Sequence, residues 1–296
     1  MTELPEFPDL RVFDPKATRG AVFRGLLRTV VFLLVVAFAG WIVLQVAGHL
    51  VFRFGDRHGT FDRVAVTGFS VGHPGITQVN HSGGSGETSS LHRKQTYTFD
   101  QPDGSIDTVT FEQDLFGKIT VSGDTHSALD NALTTGRASR AQGLTYLDGL
   151  PAAAVLDVVL VFRAPLSETL QGSFDDAHRL AEPVAFYDDP FASTHPPNVS
   201  TGRVQPVTWS FGQPGGYGGR FEDWTAQLAP SDDSLLGRIG LPDSGYLKQL
   251  GEKSLVHGLY LRDVTPTEVR TLLAAPEVAD FTPVSVRFDI LGKDRS

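Results

Sequence analysis

Twenty consecutive residues, Thr29 to Gly48 (TVVFLLVVAFAGWIVLQVAG), carry no charge and only one strongly polar side chain, Gln45. As a helix rising 1.5 Å per residue they extend about 30 Å, the thickness of a bilayer core. The helix of a soluble core rarely stays apolar on every face for this length. The apolar run of a cleaved signal peptide is usually shorter, about 7–15 residues. Both remain alternatives, the second because Val46 and Gly48 mimic a cleavage site. The reading adopted is one membrane-spanning helix over residues 29–51, and a single pass, since no second apolar run of spanning length follows.

Basic residues on the two flanks set the expected orientation. Arg11, Lys16, Arg19, Arg24 and Arg28 precede the helix, whereas Arg53, Arg57 and Arg63 follow it, the last two beside Asp56 and Asp62. The bias favours a cytoplasmic N-terminus. Five basic and four acidic residues give residues 1–28 a charge of +1, so of the net −9 the stretch after the helix, 49–296, holds −10. An acidic domain outside the membrane is the expectation. Such a charge balance disfavours nucleic-acid binding, which needs a basic face against phosphate. With no cysteine in 296 residues, disulfides, thiolate metal sites and cysteine nucleophiles are excluded.

Beyond the helix, Asp62–Ser70 (DRVAVTGFS) alternates enough to suggest a short strand, and Gly72–Ser90 reads as a Gly/Ser-rich loop. Thr96–Asp100 and Ile106–Phe111 flank Pro102-Asp103-Gly104, a hairpin signal, because Pro fixes φ and Gly accepts φ > 0. Leu115–Val121 offers another strand. A helix is expected over Thr125–Thr135, capped by Asp124 and stopped at Gly136, with Arg137–Gln142 as a polar connection. Ala152–Phe162 (AAAVLDVVLVF) is a Val-rich apolar run expected of a buried strand, and Ala164-Pro165-Leu166-Ser167-Glu168 ends it and opens a short helix. Residues 183–245 are rich in Pro, Gly, Asp and aromatics and read as a long surface excursion, with short strands at best near Val184–Tyr187 and Val207–Phe211. Tyr246–Leu250 reads as helical and Ser254–Leu261 as a strand. Thr265-Pro266-Thr267-Glu268 is a capping box, Ala275-Pro276 ends the helix it starts, and Pro283–Ile290 is a final strand. Strand–helix–strand therefore occurs twice, around 153–188 and 254–290, which allows a split βαβ arrangement.

Chemistry-bearing patterns are few. Nine histidines include no H-E-x-x-H. His73, His81 and His92 flank the Gly/Ser stretch, and Asp124-Thr125-His126 reads first as a helix cap. The acid pairs Asp175/Asp176, Asp188/Asp189 and Asp232/Asp233 lack calcium-loop spacing, so turn chemistry explains them better. Gly215–Gly219 lacks the Lys and Ser/Thr of a phosphate loop, no nucleophile elbow occurs, and Asn198-Val199-Ser200 is a three-residue glycosylation pattern only. Trp209, Phe211, Tyr217, Phe221 and Trp224 form an aromatic cluster that suits either a sugar- or partner-binding patch or a plug on the core. The expectation is a non-enzyme with no catalytic, cofactor-binding or metal-ligating residues and no cofactor.

Leu27–Val51, Phe61–Gly72, Leu150–Ser167, Trp209–Pro214, Tyr246–Leu250, Val256–Tyr260 and Thr265–Leu273, taken in order, resemble the bacterial sigma factor regulator family. Leu27–Val51 is similar to its membrane helix and Phe61–Gly72 to the segment just outside. Leu150-Pro151 through Val161-Phe162-Arg163-Ala164-Pro165-Leu166-Ser167 is similar to the strand and helix start that open its C-terminal domain. Trp209-Ser210-Phe211-Gly212-Gln213-Pro214, Tyr246–Leu250, Val256-His257-Gly258-Leu259-Tyr260 and Thr265–Leu273 follow the family's order into the last strand. The resemblance implies an anti-sigma-like membrane regulator that relays an envelope condition to transcription. Its implied partners are an extracytoplasmic-function sigma factor or another membrane regulator, besides the lipid bilayer. Related proteins hold the sigma factor with a folded cytoplasmic domain; here Glu3–Asp14, with Phe7, Leu10 and Phe13 as spaced anchors, is either a linear binding peptide or a disordered tail.

The expected architecture is an α+β extracytoplasmic domain with a mixed or antiparallel sheet, preceded by a single transmembrane helix. Its divisions are a cytoplasmic tail (1–28), the membrane helix (29–51), a regulator N-terminal region (52–142) and a C-terminal domain (143–296). A membrane-anchored binding or scaffold protein without a transcriptional role is the alternative.

Overall fold

The structure, a computed structural model, describes residues 15–54, 57–73, 93–100, 106–114, 118–123, 128–181, 183–191, 206–210 and 219–288. Helix α1 (Pro15–Phe54) contains the apolar run. Its stretch Val22–Ala47 is long and apolar enough to cross a membrane. It begins before Thr29 because Val22, Phe23, Leu26 and Leu27 extend the apolar surface. None of this surface is covered: Phe32 is 66% and Leu34 64% exposed.

The segment after α1 departs from expectation. Asp62–Ser70 is not a strand; it lies in a helical run made of α2 (Arg57–Thr60), a π-helical stretch (Phe61–Gly68) and α3 (Phe69–Gly72). Its buried residues Phe61, Val64, Ala65 and Phe69 recur at three- and four-residue spacing. That is a helical period, which the β-branched valines obscured.

The hairpin forms as expected. Strands β1 (Arg93–Asp100) and β2 (Ile106–Gln113) pair antiparallel, with Asp100 opposite Ile106. Strand β3 (Ile119–Ser122) pairs with β2 and is shorter than the strand expected over Leu115–Val121. Residues 74–92, 101–105 and 115–117, where the Gly/Ser-rich loop and the hairpin turn are expected, lie outside the described residues. Helix α4 (Ala128–Thr135) ends at Gly136, whose φ of 99° suits glycine; the expected cap Asp124 lies outside the described residues. The polar connection expected over Arg137–Gln142 is partly helical. Helix α5 (Arg140–Asp148) starts there, and Ser139 and Gln142 close a capping box on it. The expected division at 142/143 thus falls inside a helix.

Five strands form the main sheet. They are β4 (Ala154–Ser167), β5 (Val184–Phe186), β6 (Thr208–Ser210), β7 (Leu255–Val264) and β8 (Val278–Phe288), in the spatial order β6-β5-β7-β4-β8. All neighbouring pairs are antiparallel, so the sheet is antiparallel rather than mixed. Helix α6 (Glu168–His178) joins β4 to β5, and α10 (Pro266–Ala274) joins β7 to β8. Each strand–helix–strand unit straddles one strand of the other, which is the double split βαβ, or ferredoxin-like, order. The two units are the ones legible at 153–188 and 254–290.

The stretch between β5 and β7 holds more than short strands. It contains α7 (Phe221–Ala226), a 3₁₀ turn (Pro230–Asp232), α8 (Asp233–Arg238) and α9 (Ser244–Lys253). Two six-residue helices lack the length to nucleate alone and exist by their packing, so local pattern did not reveal them.

Alternation along β4 feeds both faces of the sheet. Leu156, Val158 and Leu160 enter the principal core with Phe174 of α6 and Val269 of α10. Val159 and Val161 join Phe186, Tyr260 and Leu129 of α4 in a second cluster. Both faces being covered explains the nearly continuous apolar sequence of β4.

Candidate functional site

The segment that follows α1 is gripped by the insertion between β5 and β7. Arg63 forms an ion pair with Asp232 at 3.5 Å, the carboxylate being only 3% exposed. Trp224 Nε1 on α7 donates to the Arg63 carbonyl at 2.9 Å. Thr208 Oγ1 on β6 donates to the Val71 carbonyl at 2.7 Å, inside the core. Gly68 lies so close to α8 that a Cβ there would sit 2.9 Å from Ile239 Cδ1, and one at Gly72 would sit 3.3 Å from Leu241. The small sheet closes the far side, where Phe69 meets Phe111 edge-on at 5.0 Å. Residues 57–72 are therefore built into the folded part of the chain. In the sequence only two residues, 55–56, separate them from α1.

Behind this grip lies an aromatic stack. Tyr187, at the end of β5, stacks on Phe221 at 4.0 Å, and Trp209 and Trp224 lie 5.7 and 5.9 Å from the same ring. All four are buried. Of the aromatic cluster singled out in the sequence, Trp209, Phe221 and Trp224 are thus core plugs; Phe211 and Tyr217 lie outside the described residues. The Tyr187 hydroxyl donates to Glu168 Oε1 at 2.7 Å, at the first residue of α6. Burial, then the Glu168 carboxylate, push the phenol well above its ordinary range. Arg220 faces Glu168 at 3.7 Å, tying the start of α7 to the start of α6.

A pocket of about 570 Å³ opens between the C-terminal turn of α6, the end of β7 and the first turns of α10. Its volume lies in the range of small-molecule sites. Arg179, Arg262, Asp263, Thr267 and Thr271 supply polar groups, and Leu180, Leu261 and Leu272 the apolar part. Glu268, also in its lining, accepts from the Thr265 backbone amide at 2.7 Å in the expected capping box. Asp263 holds a left-handed φ of 55°, which turns its amide toward Asp157 Oδ1 at 3.1 Å.

The pairs Asp188/Asp189 and Asp232/Asp233 act as acceptors for backbone amides. Asp188 accepts from the Val207 amide, Asp189 from that of Phe191, Asp232 from that of Ala229 and Asp233 from that of Ser244. His73 is buried and stacked on Phe69 at 4.2 Å, with Nδ1 2.9 Å from the Phe69 carbonyl. His257 is half-buried; desolvation lowers its pKa against the opposing pull of Asp188 and Asp189. No group of three metal-ligating side chains occurs among the described residues. His81, His92, Asp124–His126, Asn198–Ser200 and Gly215–Gly218 lie outside the described residues. The grip itself had no local signal, because Arg63, Thr208, Trp224 and Asp232 meet across more than 130 positions of chain. Compared with known proteins, the chain matches no family model, no curated protein and no solved structure.

Proposed function

We propose that this chain is a single-pass membrane regulator. In this reading the α1 segment spans the membrane, the N-terminal tail faces the cytoplasm, and the acidic folded part lies outside. The specific regulatory output is the availability of an extracytoplasmic-function sigma factor, reached by the tail directly or through another membrane protein. The observation that carries the reading is the grip on residues 57–72, directly after α1. Any rearrangement of the β5–β7 insertion has to move this segment, so the folded part has a mechanical route to the helix. Coupling of this kind requires two states with different affinity for the signal. The sigma factor rests on the sequence resemblance and the basic flank before α1.

The pocket beside α10 favours a second reading, a membrane-anchored binding module with no transcriptional output. Affinity purification of the full chain from membranes separates the two, with a control lacking residues 2–14. Recovery of a sigma factor or a second membrane regulator, lost in the control, is the expected result. Recovery of neither from intact membrane-inserted protein leaves only the binding module. Because the chain has no cysteine, single cysteines at Thr2 and Ser122 report orientation directly. An impermeant maleimide applied to whole cells should label the second and spare the first.

A further inference from the structure

Helix α6 carries a polar pair whose hydrogen bonding is incomplete. Gln171 is 1% exposed and Asp175 is half-buried, four residues on and on the same face. Gln171 Nε2 donates to Asp175 Oδ2. The second oxygen of each side chain, Gln171 Oε1 and Asp175 Oδ1, is buried with no hydrogen-bond partner among the described residues. While the carboxyl is ionised both atoms are acceptors, so neither can satisfy the other. One proton on Asp175 Oδ1 resolves both at once. The acid O–H then donates to Gln171 Oε1 while Gln171 Nε2 donates to Asp175 Oδ2, closing a cyclic acid–amide pair.

The surroundings favour that proton. Burial and the neighbouring Asp176 push the Asp175 carboxyl up to about 7, against the opposing effect of the Gln171 hydrogen bond. Both acids lie in the last turn of α6, where the helix dipole already disfavours negative charge. The other ionisable groups on and around α6 are Glu168 with Tyr187 and Arg220 beside it, His178 and Arg179, Arg163 on β4, His257, Arg262 and Asp263 on β7, and Glu268 across the pocket. Of these and Asp176, only Asp176 acts appreciably on Asp175. The pair also sits where it has leverage. The Asp175 carbonyl accepts the Leu180 amide at 3.0 Å and the Asp176 carbonyl accepts the Arg179 amide at 3.3 Å. Arg179 takes a left-handed φ of 53° to end the helix, and residues 178–181 wall the pocket.

We propose that Gln171 and Asp175 are a proton-operated latch on the C-terminal turn of α6, closed as the acid–amide pair when Asp175 is protonated and released when it ionises. Release loosens the turn that forms one wall of the pocket, so the pocket's shape follows the acidity of the compartment it faces. The latch is independent of the sigma-factor reading and stands or falls without it.

The test uses the full chain in lipid nanodiscs, with aspartate labelled at the side-chain carboxyl carbon for NMR titration from about pH 4 to about pH 9. The expected result is one carboxyl titrating near neutrality that is missing from Asp175→Asn. Asparagine keeps the ring closed at every pH, through its own N–H to Gln171 Oε1. Exchange of the Leu180 amide supplies a second readout. The wild-type rate divided by the Asp175→Asn rate should be near one at about pH 5 and rise at least about tenfold by about pH 8. Gln171→Glu puts two carboxyls in the ring and should move the titration to higher pH. Its readout needs no Asp175 variant. The latch is overturned if no aspartate titrates above about pH 5, if the exchange ratio stays flat, or if Gln171→Glu leaves the titration where it was.

Discussion

Asp157 shows how much one buried carboxylate can hold. It sits on β4, 4% exposed, and accepts from Ser285 Oγ at 2.7 Å, from Arg287 Nη2 at 2.9 Å and from the Asp263 amide at 3.1 Å. Three strands of the main sheet meet at this side chain. Asp157→Ala leaves Arg287 and two further donors without their shared acceptor, and it should lower unfolding stability by about 3 kcal/mol in urea titrations. A loss below about 0.5 kcal/mol would mean the network is ornamental. Gly258 is a second such position, since a Cβ there would run into the Leu160 carbonyl of the neighbouring strand. Asp175 gives the pH dependence. Its folded-state carboxyl keeps its proton up to about 7 whereas the unfolded one loses it near 3.8. Between those values the folded state binds more protons, so stability falls as pH rises. His257, with its folded pKa lowered, works in the opposite sense: its share of stability is lost as pH falls through the ordinary histidine range. Wild type and Asp175→Asn share His257, so the difference between their melting curves isolates Asp175. That difference should shift against wild type from about pH 4 to about pH 7.

Among elements, the helical run over 57–72 is the one whose structure was least legible and whose position matters most. Its valines favour a strand, yet a half-buried strand would put Val64 on the face opposite Phe61 and Phe69. The helix puts them together against α8, β2 and β6, and tertiary packing overrides propensity. Trp224→Phe keeps an aromatic side chain but removes the donor to the Arg63 carbonyl, and Thr208→Val removes the one to Val71. The double variant should keep the sheet intact while amides of residues 61–72 exchange at least about tenfold faster than in wild type. Uniform acceleration across β4 and β7 would show instead that the run is no separate unit. By contrast α10 was readable from four residues, because Thr265 and Glu268 carry their own reciprocal bonds. The same logic was available for α5 at Ser139 and Gln142, where the polar composition hid it.

For the whole molecule, α1 and the rest make different demands on their surroundings. The apolar window of α1 is uncovered, whereas the sheets and the remaining helices share continuous cores without it. Deleting residues 1–56 should therefore leave a domain that is monodisperse without detergent and melts within about 3 °C of the full chain in detergent. A much lower melting point would mean that α1 contributes packing that its exposure does not suggest.

What the sequence determined alone was whatever is encoded within a few turns or one hairpin. The uncharged run fixes an apolar helix of spanning length, Pro-Asp-Gly between two alternating runs marks an antiparallel strand pair, and Thr265–Glu268 fixes a helix start. Two strand–helix–strand patterns suffice to suggest the split arrangement. The tertiary structure decided the rest: the interleaving of those two units, the short helices α7 and α8, and the inward turn of Trp209, Phe221 and Trp224. It also decided the burial of residues 57–72 and the pairing of Arg63 with Asp232. Each of these gains its free energy from groups far apart in the chain, through buried area and hydrogen bonds that exist only once the sheet has closed. Local pattern carries no record of them.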